Sequence, residues 1–169
     1  DVVPVDIGVA RPVKGERILQ RCVRRGTANM TRGPAMTRAE AERAILTGAA
    51  VARELKEQGC RLLATGEMGI GNTTTSSAVA CVLLDQPAVT MTGRGAGLSD
   101  AGLRRKIAAI ERAVAVNAPD PGDPLDVLAK VGGLDLAGLA GVFLGGAACR
   151  LPVLVDGFIS SAAALTAAR

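Results

Sequence analysis

The chain has 169 residues, 49% of them apolar, which is enough for one domain with a sizeable core. Two Phe, no Trp and no Tyr leave Ala, Leu and Val to fill that core, so we expect closely packed helices against a sheet. The net charge of +4 suits small anionic ligands, and no aromatic side chains interleave with the cations as nucleic-acid binding would require. The absence of His removes the commonest general base and a common metal ligand, so acid–base chemistry must use carboxylates, Lys or water.

The four cysteines, Cys22, Cys60, Cys81 and Cys149, lie far apart without a CxxC pair, which argues against a zinc site or a redox motif. Each lies in or beside an apolar run, so we expect reduced, partly buried thiols and a cytoplasmic protein. Because no signal-peptide pattern and no membrane-length apolar run is found, we expect no membrane partner.

Predicted strands alternate with predicted helices along the chain. In order, the sequence predicts a strand at 2–9, a mostly loop region at 10–36 with one short helix near Arg17–Val23, a helix at 37–57, a strand at 61–65, a helix at 72–84, a strand at 88–91, helices at 99–116, 123–130 and 135–144, a strand at 152–155 and a helix at 159–169. Thr37 and Glu40 have capping-box spacing, and Gly59 provides a helix stop. This order implies an α/β fold, a mostly parallel sheet covered by helices on both faces.

Three glycine-containing turns follow predicted strands: Gly66–Gly71, Gly93–Gly97 and Asp156-Gly157. Ligands bind at the carboxyl ends of the strands in parallel sheets, so we expect these turns to meet in space.

The first turn has two interpretations. As a phosphate cradle, Gly69 and Gly71 would permit close approach, while Asn72, Thr73 and Thr74 would add N–H and hydroxyl donors. Alternatively, Asn72 and Thr73 serve only as a helix N-cap. The turn is not a Walker A loop, because it lacks the Lys-Ser/Thr ending, and its glycine spacing differs from the dinucleotide fingerprint.

Glu67 follows a predicted buried strand and precedes Met68, so we expect a partly desolvated carboxylate suited to proton transfer. The alternative, slightly favoured from the residues alone, is a Glu that accepts backbone N–H bonds and shapes the loop.

The other two turns carry one candidate each. After the turn that contains Gly95, a predicted helix carries Lys106, which could return toward a phosphate or belong to a basic surface face. Asp156 could hold a ribose hydroxyl or, more commonly for such an Asp, cap the last helix.

Together these motifs resemble one known family. The runs Gly66–Thr74, Thr92–Leu98 with the later Arg105-Lys106, and Val153–Phe158 closely resemble the signature of the nicotinate-nucleotide–dimethylbenzimidazole phosphoribosyltransferases. The segments 5–9 and 26–30 are also similar, and the resemblance spans essentially the whole chain.

The resemblance implies a Rossmann-like parallel sheet in a three-layer α/β/α arrangement, a homodimer, and no metal or organic cofactor. The implied reaction transfers phosphoribosyl from nicotinate mononucleotide to 5,6-dimethylbenzimidazole. It releases nicotinate and forms α-ribazole 5′-phosphate for cobalamin biosynthesis.

By the same resemblance, Lys106 is the phosphate-contacting lysine, and Gly69 lies in the loop against the bound nucleotide. Gly157 lies near the phosphoribosyl group and Met68 against the benzimidazole ring, while Glu67 is an active-site glutamate. The implied substrate-binding set also contains Gly71, Asn72, Thr73, Gly95 and Asp156.

The family's general base is a different glutamate, in a Gly-Glu-Gly segment that we expect beyond Arg169. We therefore expect residues 1–169 to be a single α/β domain, the central part of the large domain of a longer enzyme. Two alternatives stay open: a non-catalytic nucleotide-binding fragment, and a phosphoribosyltransferase of the same fold that uses another aromatic base.

Overall fold

The computed structural model describes residues 1–169. Its elements, in chain order, are β1 (Val5–Asp6), β2 (Leu19–Gln20), α1 (Arg38–Glu57), β3 (Leu63–Ala64), α2 (Thr73–Leu84), α3 (Ala88–Met91), α4 (Asp100–Asn117), α5 (Pro124–Val131), α6 (Leu134–Ala148), β4 (Val153–Leu154) and α7 (Gly157–Ala168). None of the helices combines the length and the apolar character that crossing a membrane requires.

The four strands form two parallel pairs. In the first pair, β1 and β2 align Val5 with Leu19, and in the second, β3 and β4 align Leu63 with Val153. Parallel pairing, with helices α2 to α6 between β3 and β4, confirms the expected α/β class. Because each ladder is only two residues long, packing between helices, and not a wide sheet, holds most of the structure together.

The end of β1 is fixed by a buried carboxylate. Asp6 is 2% exposed; its Oδ1 accepts from the backbone N–H of Gly8 at 3.0 Å and of Val9 at 2.9 Å, and its Oδ2 accepts from Arg25 Nη1 at 2.6 Å. Burial alone would raise the pKa of Asp6, but the Arg25 guanidinium and the two N–H groups hold it below its ordinary value. The charged carboxylate therefore ties the β1 turn to the segment after β2.

The α1–α6 interface is built from small residues. A Cβ added at Gly48 would overlap the carbonyl of Gly138, and one at Gly141 would overlap the carbonyl of Ile45. The two helices therefore touch backbone to backbone, which is how a chain almost without aromatic residues closes its interior.

Helix α2 lies in the middle of the remaining helices and contacts α4, α5 and α7. Its Ala78 and Val79 are fully buried in the main hydrophobic cluster, together with Ile110 of α4 and Leu128 of α5. Because α2 is packed on several sides, its N-terminus is held rigidly at the loops that precede it.

Most predicted helices are confirmed, including the capping box of α1, in which Thr37 Oγ1 accepts from Glu40 N and Glu40 Oε2 accepts from Thr37 N. Two predictions are wrong. The expected helix near Arg17–Val23 is the strand β2, which pairs with β1. The expected strand at Ala88–Met91 is the single-turn helix α3, in which the carbonyl of Pro87 accepts from the N–H of Thr90 at 3.0 Å. The fixed φ of Pro87 suits the entry to a helical turn.

All four cysteines are unpaired. Cys81 is buried, and burial raises the pKa of its thiol. Cys60 and Cys149 are half-buried as expected, whereas Cys22 is exposed, because the segment after β2 runs along the surface.

Candidate functional site

A lysine is buried where α4, α2 and the loop 93–97 meet. Lys106 is 8% exposed, and its Nζ donates to Thr73 Oγ1 at 2.9 Å and to the carbonyl of Gly93 at 3.2 Å. No carboxylate forms a salt bridge with Lys106. The salt bridges of the chain lie elsewhere, most of them between surface residues. Desolvation lowers the pKa of Lys106 below its ordinary value. The site therefore contains a buried cation with only neutral partners.

The N-terminus of α2 adds unpaired donors beside this cation. Asn72 occupies the N-cap position, but its side chain makes no capping bond, and the backbone N–H groups of Thr73, Thr74 and Thr75 have no acceptor in the chain. Free N–H groups and the helix dipole favour an anion at such an end. Lys106 and α2 thus present positive charge from two directions.

Gly95 allows the loop 93–97 to approach this point closely. Its φ is +56°, and a Cβ there would lie 3.1 Å from Thr73 Oγ1 and 3.6 Å from Lys106 Nζ. The neighbouring Arg94 is not available to a ligand in the same way, because it pairs with Asp100 and donates to the carbonyl of Leu98. Lys106, on α4, is therefore the buried cation that borders this loop without a salt-bridge partner.

A group of acceptors lies on the other side of Asn72. The Asn72 Nδ2 donates to Glu67 Oε2 at 2.9 Å and to Asp135 Oδ2 at 2.8 Å. Glu67 Oε2 also accepts from the backbone N–H of Gly69. Two adjacent residues therefore contact groups of opposite charge. Thr73 accepts from the Lys106 ammonium, and Asn72 donates to the two carboxylates.

The expectation of a partly desolvated Glu67 is wrong. Glu67 is exposed, and Met68 after it is 83% exposed, because the loop 66–71 extends into solvent beyond β3. The alternative is observed: Glu67 accepts a backbone N–H and shapes its own loop. Gly71 is also exposed and lies directly before the N-cap residue Asn72.

The third predicted turn flanks the first, because β3 and β4 run parallel and the N–H of Thr65 donates to the carbonyl of Leu154 at 3.1 Å. Asp156 and Gly157 therefore follow β4 at the same end of the pair as the loop 66–71. The capping interpretation of Asp156 is wrong, since its exposed side chain makes no cap bond to α7. Gly157 has a φ of +74°, a conformation that other residues rarely adopt.

The turn 93–97 follows the helix α3 and not a strand, yet Lys106 joins it to the start of α2. No hydrogen bond links Asp156 or Gly157 to Lys106 or Glu67.

One member of the site, Asp135, is absent from the sequence-based expectations. It lies in the first turn of α6, where an acidic residue is common for reasons of helix stability alone. It is 63 positions from Asn72 in the chain, so only the tertiary structure reveals their contact. The sole sequence signal is Gly132-Gly133, which marks the start of α6.

Chemically, a buried ammonium group and a free helix N-terminus are suited to bind a phosphate-sized anion. Carboxylates placed beside such an anion accept hydroxyl hydrogen bonds or stabilise developing positive charge. The arrangement therefore fits a ligand with a phosphate at one end and a hydroxylated or electron-poor carbon near it.

Comparison with known proteins identifies the family of the chain. The family model described as "Phosphoribosyltransferase" matches residues 1–169. A nicotinate-nucleotide–dimethylbenzimidazole phosphoribosyltransferase of Acetivibrio thermocellus is 59% identical over 169 residues, which are 100% of this chain and 48% of that protein. The protein of the same name from Clostridium acetobutylicum is 51% identical, again over 100% of this chain and 48% of its own length.

A solved structure is similar as well. The crystal structure of CobT from Thermus thermophilus superimposes with a TM-score of 0.91 at 47% identity, covering 96% of this chain and 49% of that one. The chain therefore spans about half the length of the relatives it matches. The resemblance seen in the motifs is confirmed, and the chain belongs to this phosphoribosyltransferase family.

Proposed function

We propose that the Lys106 site binds the phosphate of nicotinate mononucleotide. We further propose that the chain supplies the phosphoribosyl-binding part of an enzyme that transfers this group to 5,6-dimethylbenzimidazole, giving α-ribazole 5′-phosphate and nicotinate. The observation that carries the proposal is the buried Lys106 ammonium, which has two neutral oxygen partners and no carboxylate. A buried charge without a counter-ion is costly, and a bound phosphate would remove that cost.

The neighbouring residues supply the rest of the anion site. The free N–H groups at the start of α2 bind the phosphate oxygens, and Thr73 positions the Lys106 ammonium beside them. Gly95 lets the loop backbone approach without a side chain in the way. Gly69 and Gly71, both at positive φ, form the edge of the cradle next to the sugar.

Glu67 acts on the sugar in this proposal. Departure of nicotinate leaves positive charge on the ribose ring, and a carboxylate held near C1′ stabilises it. The exposed Met68 provides an apolar surface for the benzimidazole ring. Asp156 and Gly157, at the end of the neighbouring strand, border the same sugar.

The attacking benzimidazole must also lose its N–H proton. The family resemblance assigns that task to a glutamate in a Gly-Glu-Gly segment, and residues 1–169 contain no such segment. General base catalysis contributes typically about 10²–10⁴-fold. We therefore expect this chain to bind nucleotide much better than it turns nucleotide over.

We also propose that residues 1–169 form one α/β domain, the central part of a large domain, and that the enzyme is a cytoplasmic homodimer. One cluster of 22 buried residues runs from Met30 to Ala163, which supports the single domain. Size-exclusion chromatography with light scattering of the chain tests the dimer.

The binding proposal is tested by titration calorimetry with nicotinate mononucleotide. Lys106→Met keeps the apolar stem and removes the charge, so we expect affinity to fall about tenfold or more. The matched control is Lys14→Met, which makes the same charge change on an exposed loop residue and leaves affinity unchanged within about twofold. Equal losses in the two variants would contradict a specific phosphate site.

The transfer reaction is tested by mass-spectrometric detection of α-ribazole 5′-phosphate from nicotinate mononucleotide and dimethylbenzimidazole. Product from the parent chain but not from Glu67→Gln would show that the Glu67 carboxylate is required, either to stabilise charge on the ribose or as a base, and that these residues turn nucleotide over without the Gly-Glu-Gly glutamate. Tight nucleotide binding without product from either chain would support the non-catalytic alternative for these residues alone. Product with adenine or a phenol in place of dimethylbenzimidazole would support the alternative aromatic base.

A further inference from the structure

A single buried amide connects two carboxylates from distant parts of the chain. Asn72 is 5% exposed, and both of its Nδ2 hydrogen bonds go to carboxylates, Glu67 at 2.9 Å and Asp135 at 2.8 Å. Neither carboxylate is paired with Lys or Arg. The remaining amide atom, Oδ1, is buried without a partner. A buried oxygen without a hydrogen-bond donor costs free energy, so the orientation of the Asn72 amide must be set by the two hydrogen bonds of its Nδ2.

Asp135 helps to set this orientation, because it accepts one of the two hydrogen bonds. If the Asn72 amide turned over, its Oδ1 would face two acceptor-only carboxylates, and both hydrogen bonds would be replaced by repulsion. A carboxylate at 135 therefore fixes the amide in the orientation in which it also donates to Glu67.

The position of Asp135 is fixed by the helix that carries it. It lies in the first turn of α6, and a Cβ on Gly133, two residues earlier, would lie 2.6 Å from its Oδ1, so glycine leaves the room that this carboxylate occupies. Helix α6 is in turn held against the backbone of α1. Glu67, by contrast, lies on an exposed glycine-rich loop.

We infer that Asp135 is a positioning residue: through Asn72 it holds the Glu67 carboxylate at the ligand site. Glu67 uses Oε2 for Asn72 and Gly69, while Oε1 has no hydrogen bond and remains an acceptor for a ligand. The effect of Asp135 on nucleotide rests on the proposed function of this site. The link from Asp135 to Asn72 and Glu67 does not.

The link itself is tested by NMR of the Asn72 side-chain amide, whose two hydrogens resonate separately. Asp135→Ala removes one acceptor, so we expect at least one Asn72 side-chain resonance to shift and the Gly69 backbone N–H resonance to move with it. Asp135→Asn retains an acceptor oxygen, and it should restore most of both shifts. Unchanged Asn72 resonances in Asp135→Ala would overturn the inference.

The functional consequence is tested by a double-mutant cycle on nicotinate mononucleotide affinity. We expect Asp135→Ala to weaken binding by about three- to tenfold in the parent chain and by less than about twofold in a Glu67→Gln background. Recovery in Asp135→Asn to within about twofold would distinguish positioning from loss of charge. Additive effects of the two substitutions would overturn the inference, because Asp135 would then act independently of Glu67.

Inorganic phosphate separates this inference from the proposed function. The affinity for phosphate should depend on Lys106 and stay within about twofold in Asp135→Ala, since phosphate at Lys106 is too small to reach the carboxylates of Glu67 and Asp135. If neither phosphate nor the mononucleotide binds the parent chain, the proposed function fails. The Asn72 resonances then still decide whether Asp135 positions Glu67.

Discussion

Only two charged side chains of this chain are buried, and their surroundings differ in kind. Asp6, at the end of β1, receives hydrogen bonds from two backbone N–H groups and a guanidinium. Lys106, between α4 and α2, donates to two neutral oxygens and has no counter-ion. The first charge is neutralised by the fold, whereas the second has no counter-ion in the chain, which supports the proposed anion site. This difference is the reason for treating Asp6 as a structural charge and Lys106 as a proposed functional charge.

The largest effect is expected when the structural charge is removed. Asp6→Ala leaves Arg25 and the N–H groups of Gly8 and Val9 without their acceptor, so we expect a loss of about 2 kcal/mol in the free energy of unfolding. Urea denaturation measures it. Glu16→Ala, at an exposed position, is the control and should change stability by less than about 0.5 kcal/mol. Equal effects would mean that Asp6 is not a structural charge.

The opposite sign is expected for the functional charge. Lys106→Met removes a desolvated cation, so the variant should be more stable than the parent by about 1 kcal/mol in phosphate-free buffer. Millimolar phosphate should then raise the melting temperature of the parent and not of the variant. A variant destabilised as much as Asp6→Ala would show that Lys106 also has a structural role.

The pH dependence of the free energy of unfolding also distinguishes Asp6 from Lys106. The pKa of Asp6 lies below its ordinary value of 3.8, so its stabilisation is complete above that pH and is lost as the pH falls through the lowered pKa. The pKa of Lys106 is lowered from 10.5, so between the lowered pKa and pH 10.5 the unfolded chain binds more protons and parent stability rises with pH. The parent is expected to have a lower free energy of unfolding than Lys106→Met, and this difference should shrink as the pH approaches 10.5. A deficit independent of pH would contradict the charge argument.

The last prediction concerns the loop beside Lys106, where we expect a change in stability no larger than that of Lys106→Met. Gly95→Ala places a Cβ 3.1 Å from Thr73 Oγ1 at a φ of +56°, so we expect a loss of about 1 kcal/mol and a few-fold weaker phosphate binding. Gly97→Ala, in the same loop at a φ of +99° but with open space around its Cβ, is the matched control for thermal unfolding and phosphate titration. Indistinguishable variants would show that close approach at 95 is not required.

The sequence predicted what depends on neighbouring residues. The capping box of α1 and the Asp123-Pro124 start of α5 are local signals, and both helices are found where expected. The segment Ala88–Met91 was misassigned because Val89 and Thr90 favour strands, while Pro87 and the packing of α3 against α2 and α4 favour a helical turn.

The site was predictable in part for the same reason. Its glycine turns and Lys106 are visible as motifs, but whether Lys106 lies on a surface or in a site depends on tertiary contacts with Thr73 and Gly93. The burial of Glu67 was wrongly predicted, since a strand of two residues buries little of the loop after it. Asp135 required knowledge of which helix start faces Asn72, and a single sequence does not contain it.

The glycine contact between α1 and α6 makes the ligand site sensitive to changes far from it. Gly141 is six residues along α6 from Asp135, a distance of about 9 Å at about 1.5 Å per residue. Ala is normally a better helix former than Gly, yet its Cβ here would overlap the Ile45 carbonyl and push α6 along or away from α1. The displacement would travel to Asp135 at the start of the helix. An apparently mild substitution in the packed interior would therefore act like a substitution of Asp135 itself, with no residue of the candidate site altered.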